Sequence, residues 1–190
     1  MLSLAGYAKT EIILWTALNA VLFIILSIQV TSIEYEGFYN CTTLEWLSIP
    51  STITSIESRA FYQCFRLNHL YIPDGLTKIN SRTFYSCNDL NDIRLPETLT
   101  TLDDYAFYHA TGFANLHLPN SINSVGSNCF VSCSNLVEVN CPTSLTILPS
   151  SFIYIASNLR SFTIGTNITK ITNGAFRSLS NNLMRLNHLH

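Results

Sequence analysis

One period governs this chain. Stepping by 23 residues from Leu44 gives Leu67, Leu90, Phe113, Leu136 and Leu159. The same step yields an apolar column at Leu47, Leu70, Ile93, Leu116, Val139 and Phe162. Another runs through Ile49, Ile72, Leu95, Leu118, Cys141 and Ile164. A proline column follows at Pro50, Pro73, Pro96, Pro119 and Pro142, closed by Gly165. Two further files are Ile53, Leu76, Leu99, Ile122, Leu145, Ile168 and Ile56, Ile79, Leu102, Val125, Leu148, Ile171. The last is Phe61, Phe84, Phe107, Phe130 and Phe176, with Phe152 displaced by one residue. Self-similarity at a fixed period is the mark of a tandem array, and it must be settled before any local reading.

The period has a physical meaning. In Leu-x-x-Leu-x-Leu the last two apolar residues alternate with polar ones, the pattern of a short strand with one buried face. Proline then removes a donor, fixes φ and turns the chain. The second apolar pair, such as Ile53 and Ile56, lines the return path. Ala60, Phe61 and Cys64 fall at roughly helical spacing, with room for only one or two turns of helix. One such unit cannot bury its own apolar face. Stacked units bury one another, so stability becomes a sum over neighbours. Hydrophobic residues make up 47% of the chain, enough for a continuous core.

The consensus Leu-x-x-Leu-x-Ile-Pro-x-x-(Ile/Leu)-Thr-x-Ile-x-x-x-Ala-Phe-x-x-Cys resembles the BspA-like leucine-rich repeat, over about Val30 to Leu183. The resemblance implies a leucine-rich repeat solenoid with parallel strands on a concave face and short helical or irregular segments on the convex face. It also implies a surface or secreted protein that binds other proteins or host matrix. The motif residues are structural, so the resemblance carries a fold and a class but no site. On this reading residues 30–190 form an array of about seven units, preceded by a hydrophobic segment over residues 1–29. The tail LMRLNHLH opens another unit and stops within its strand. The array is therefore expected to be truncated there, as a piece of a longer one or as an edge that meets a partner. The displaced Phe152 predicts a bulge or shifted turn near Ser150 to Ile155, and the unit ending near Leu183 carries one extra residue.

The hydrophobic beginning admits three readings. Ile12 to Ile28 is slightly short of a bilayer span, which asks for about 20 residues. It could anchor the chain in a membrane, act as a signal peptide, or cap the array. Extending the 23-residue lattice backward places Val21, Ile24 and Leu26 in core columns, which suits a cap. Leu22, Phe23 and Ile25 would then be apolar on the solvent side, which suits a membrane.

Charge narrows the partners. Charged residues make up 12% and the net charge is −2, about half the usual charged share. No basic stripe is present, so nucleic acid is not an expected partner. No cofactor is expected, for the chain has no phosphate-cradling glycine loop, no Gly-x-Ser-x-Gly elbow and no zinc spacing. Cys41, Cys64, Cys87 and Cys133 share one column with Ala110 and Ala156, while Cys129 replaces Ala and Cys141 replaces Ile. These are inward positions that ask for a small apolar group, which a free thiol satisfies. Stacked side chains pointing in parallel suit disulfide geometry poorly. His69 and His117 lie two repeats apart, ~9–10 Å, too far to share a metal or a proton.

The outward strand columns differ most between units. They read Trp46, His69, Asp92, Asn115, Glu138, Ser161 and Ser48, Tyr71, Arg94, His117, Asn140, Thr163. Variable side chains on a fixed scaffold are how solenoids read partners, and Trp46, Tyr71 and Arg94 have the chemistry of interface hot spots. A protein or glycoprotein ligand on this concave face is the functional expectation, without catalysis. An adaptor inside the cell using the same face is the alternative. Asn40-Cys41-Thr42 and Asn167-Ile168-Thr169 are glycosylation sequons only if the chain is secreted.

Overall fold

The computed structural model describes residues 23–25, 30–177 and 185–188. The chain winds as a parallel β-solenoid. On the concave side Phe23–Ile25, Trp46–Ser48, His69–Tyr71 and Asp92–Arg94 pair in parallel, each one period after the last. A second four-stranded ribbon joins Asn115–Leu116, Glu138–Asn140, Ser161–Ile164 and Arg185–His188. Its last pairing is Ser161↔Arg185, a step of 24, which is where the extra residue is absorbed.

The proline column acts after each strand. The carbonyls of Pro50, Pro96, Pro119 and Pro142 accept the N–H three residues on, at 3.0–3.2 Å. Gly165 makes the same turn, accepting from Ile168 N–H at 3.2 Å. Two-residue ladders such as Lys78–Ile79, Thr101–Leu102 and Ser124–Val125 then line the return path. Thr54, Thr100 and Thr169 donate their hydroxyls to the backbone carbonyl of Thr31, Thr77 and Thr146, 23 residues back. These side-chain bonds repeat the register on the solvent side.

The core is a file of phenylalanines. Phe38, Phe61, Phe84, Phe107 and Phe130 stack with successive centroids 5.1–5.7 Å apart and planes within 17° of parallel. All five are buried. In-register coils force identical side chains one above another, so one aromatic per unit becomes a continuous stack.

Of the two forms expected on the convex side, helical or irregular, the irregular one occurs. Among the described residues it contains no helix. Ala60, Tyr62 and Cys64 N–H close three-residue turns onto Glu57, Arg59 and Phe61, whereas Arg59, Phe61 and Gln63 N–H donate to Ser81, Thr83 and Tyr85 of the next coil. A helix would pair its donors within the segment once past its first turn. Sending alternate donors outward instead ties neighbouring coils together. The geometry requires a left-handed residue twice per coil, at Glu36, Arg59, Arg82, Tyr105, Asn128, Ser151 and at Asn40, Gln63, Ser86, His109, Ser132, Ile155. Gly174 continues the first set with φ 73°.

Neither the expected bulge nor a shifted turn occurs at Ser150 to Ile155. Phe130↔Ile153 and Val131↔Tyr154 keep the 23-residue register, and so do the left-handed pairs Asn128/Ser151 and Ser132/Ile155. Ile153 takes the register position of the phenylalanine, and the Phe152 ring still lies 5.5 Å from Phe130 but edge-on, at 85°. The side chains absorb the displacement because the inter-coil hydrogen bonds fix the backbone.

At the beginning, Phe23–Ile25 extends the lattice one coil back. The rest of the Ile12–Ile28 stretch lies outside the described residues. Among the described residues no helix is long and apolar enough to cross a membrane.

Candidate functional site

Parallel pairing decides which outward residues meet. Trp46, His69 and Asp92 stand in register on three successive coils, as do Ser48, Tyr71 and Arg94. Together they line a half-open groove of about 330 Å³, floored by Leu47 and Leu70. His69 Nδ1 lies 3.2 Å from Asp92 Oδ2, a contact between neighbouring coils that is an ion pair only when the imidazole is protonated. The pair is exposed and contributes less than about 1 kcal/mol to stability. The Arg94 guanidinium sits 5.8 Å from the Tyr71 ring centre. Tyr71 is still 47% exposed.

The other predicted face residues lie elsewhere. Asn115, His117 and Glu138 are exposed on the second ribbon, and Asn140 is half-buried beside Thr163. No strand pairing joins Asp92–Arg94 to Asn115–Leu116. The concave face is thus two ribbons, one aromatic and charged, the other polar. The lapse lies beside Gly112, where an added Cβ would come within 2.6 Å of the Leu90 backbone. The chain has closed tightly on the previous coil at one point and lost its ladder at the next.

The cysteines are structural. None of the six is in a disulfide, and all but the half-buried Cys41 are buried. Cys64, Cys87 and Cys133 donate their thiols to the carbonyls of Phe38, Phe61 and Phe107, at 3.0–3.2 Å. Burial pushes the Cys133 thiol up to about 12 and raises Cys64, Cys87 and Cys129 in the same direction. An unfolded thiol titrates near ~8.5. Above that pH the unfolded chain releases protons that the folded chain keeps, so stability is full below ~8.5 and falls as pH rises toward the folded value. Urea unfolding is expected to show Cys133 alone costing about 2 kcal/mol at pH 10 relative to pH 7, with the other buried thiols adding to it. Cys133→Ala, which places at this position the residue its column holds at Ala110, should remove its share of that slope. A pH-independent midpoint between 7 and 10 would contradict the assignment. Among the described residues no cluster of three His, Cys, Asp or Glu is placed to hold a metal ion.

One surface feature escaped the sequence reading. Tyr39, Tyr62, Tyr85 and Tyr108 form a second stack on the convex side, with centroids 4.6–5.2 Å apart. Arg59 lies over Tyr62 and Arg82 over Tyr105. Burial, then the neighbouring tyrosines, raises the Tyr85 phenol. The signal was present as a Phe-Tyr pair at residues 38–39, 61–62, 84–85 and 107–108, which reads as core motif until the turn shows Phe pointing in and Tyr out. Of the two sequon asparagines, Asn40 is exposed, and Asn167 is exposed with its amide donating to Thr143 O at 2.7 Å.

Comparison with known proteins agrees with this geometry. The profile of the BspA type leucine rich repeat region matches six copies, over residues 18–110 and 56–183. A leucine-rich repeat protein from Bacteroides ovatus is similar in structure, with TM-score 0.79, 26% identity, and 91% of this chain and 46% of that one covered. A leucine rich repeat protein of T. pallidum follows with TM-score 0.68 and 24% identity, covering 86% and 77%. A leucine rich cell surface protein from Faecalibacterium prausnitzii has TM-score 0.56 and 20% identity, covering 84% and 59%. This chain therefore spans under half the length of the Bacteroides protein. No curated protein matches the chain.

Proposed function

Since this chain belongs to the BspA type leucine-rich repeat family, we propose that it is a non-catalytic binding scaffold, displayed at a cell surface or secreted, that grips a protein or glycoprotein ligand in its concave face. The groove between Trp46, His69, Tyr71, Asp92 and Arg94 carries this reading. It gathers the aromatic and guanidinium groups that dominate interface energies, on strands already fixed by stacking, so little ordering opposes binding. Trp46–Ser48 and His69–Tyr71 are paired on both edges, so recognition over them falls to the side chains. The surface location rests on the family resemblance.

The test compares two triple variants in capture from a host-matrix extract, followed by titration of the captured species. Trp46→Ala with Tyr71→Ala and Arg94→Ala is expected to weaken binding by more than 30-fold, since one lost hot spot costs about 2 kcal/mol or more. Asn115→Ala with Glu138→Ala and Asn140→Ala should change it less than threefold. Equal effects from the two sets would reject the groove as the ligand face. Full protection of the chain from protease on intact cells would reject display and favour the intracellular adaptor.

A further inference from the structure

The groove has a size, a polarity and a shape that narrow the ligand. Its lining comes from three successive coils, a width of two strand spacings or ~10 Å. At about 330 Å³ it falls at the small end of ligand sites, which run ~300–1,000 Å³. The ribbon ends where the pairing lapses after Arg94, so the aromatic residues do not continue into a long track. The recognised element is compact.

Its charge is balanced. Asp92 and Arg94 project from the same strand into the same groove, with His69 contacting the carboxylate. An anion near Arg94 would also meet Asp92, and a cation near Asp92 would meet Arg94. An uncharged group with both donors and acceptors meets neither penalty. Asp92 supplies acceptors, Arg94 donors, and His69 either, depending on its tautomer.

Its shape is a slot beside a ring. Arg94 lies over Tyr71 from the following coil. On the preceding coil the in-register neighbour of Tyr71 is Ser48, whose side chain is only a hydroxymethyl, and Trp46 stands on the same strand. In the convex column where described tyrosines fill successive coils they stack on each other, as Tyr62 and Tyr85 do at 4.6 Å. Here the position beside Tyr71 holds a serine instead. An aromatic face with a negative quadrupole attracts polarised C–H groups. A saturated chair-shaped ring with axial C–H groups on one face and hydroxyls around its rim satisfies these features together.

We infer that the groove binds an uncharged pyranose, with the sugar face against Tyr71 and Trp46 and the hydroxyls shared among His69, Asp92 and Arg94. This rests on the reading of the groove as the ligand face and specifies the part of a glycoprotein that it holds. The probes are lactose, cellobiose, mannobiose and N,N′-diacetylchitobiose, followed by saturation-transfer NMR and by shifts of the Trp46 indole resonance. At least one sugar is expected to bind and to move Trp46. Ser48→Tyr fills the slot without touching the polar groups, and it should weaken that binding at least tenfold while the thermal midpoint stays unchanged. No response to any of the four sugars, or an equal response in Ser48→Tyr, would overturn the inference. The captured ligand separates this from the broader proposal. If periodate oxidation of its glycans abolishes capture, the sugar reading holds. If capture survives periodate yet is lost in the Trp46, Tyr71 and Arg94 triple variant, the groove binds polypeptide and only the sugar inference fails. If capture ignores the triple variant, both fail.

Discussion

Phe107→Ala is expected to destabilise the protein by about 3–5 kcal/mol, the largest effect of any single truncation in the core. Phe107 is fully buried, stacks between Phe84 and Phe130 at 5.3 and 5.7 Å, and takes Phe113 against its edge at 6.0 Å. Removing it opens a cavity in the middle of the file. The neighbouring rings cannot close over it, because inter-coil hydrogen bonds at Phe107 N–H to Cys129 O and His109 N–H to Val131 O hold the coils in place. In a one-dimensional array, a weakened interface also divides the cooperative unit. Hydrogen exchange should therefore show loss of protection centred on residues 84–130 before the ends respond. A urea midpoint within the equivalent of 1 kcal/mol of the parent would mean the file is not the core that the geometry indicates.

Gly126→Ala should cost about 2–4 kcal/mol, from overpacking of roughly 1–3 plus about one hydrogen bond. A Cβ at this position would lie 2.3 Å from Asp104 N and 2.6 Å from Asp103 C, both backbone atoms of the previous coil. Rigid backbone cannot yield as a side-chain tip does. Any shift also disturbs two bonds at 2.7 Å, Gly126 N–H to Leu102 O and Ser127 N–H to the Asp104 carboxylate. The exposed neighbour Asn123→Ala is the control and should stay within about 0.5 kcal/mol. Gly126 and Phe107 sit at the same junction between coils, so the double variant should lose less than the sum of the two. Thermal unfolding of the four proteins measures that coupling. A Gly126→Ala protein as stable as the parent would show that the coils are not packed this closely.

These two positions show different kinds of legibility. Phe107 could be read directly from the sequence, since it recurs at 23-residue spacing with Phe61 and Phe84, and the stack follows from in-register coils. Gly126 could not. Its counterparts one period away are Asp103 and Pro149, so its column gives no warning of a close approach. That approach is a distance between two coils, held by Gly126 N–H to Leu102 O and Ser127 N–H to the Asp104 carboxylate. The groove was legible in part. Its outward columns are visible as variable positions, and Trp46, Tyr71 and Arg94 stand out by residue type. That Asn115, His117, Glu138 and Asn140 belong to a separate ribbon was not visible, because the seven columns continue unbroken across the lapse. The convex turns could be read only as helical or irregular, for a related reason. Ala-Phe-x-x-Cys fits a helical turn as well as it fits a pair of left-handed kinks, and the donors that decide between them pair with another coil.

The sequence by itself determined the repeat, its register, the buried columns and the inward place of the cysteines, because each follows from which residues are apolar at a fixed spacing. Tertiary structure alone decided where the concave ribbon breaks, which outward side chains share a groove, and that His69 meets Asp92 instead of standing alone. Those outcomes depend on distances between coils, set by backbone hydrogen bonds and close contacts that no single unit contains.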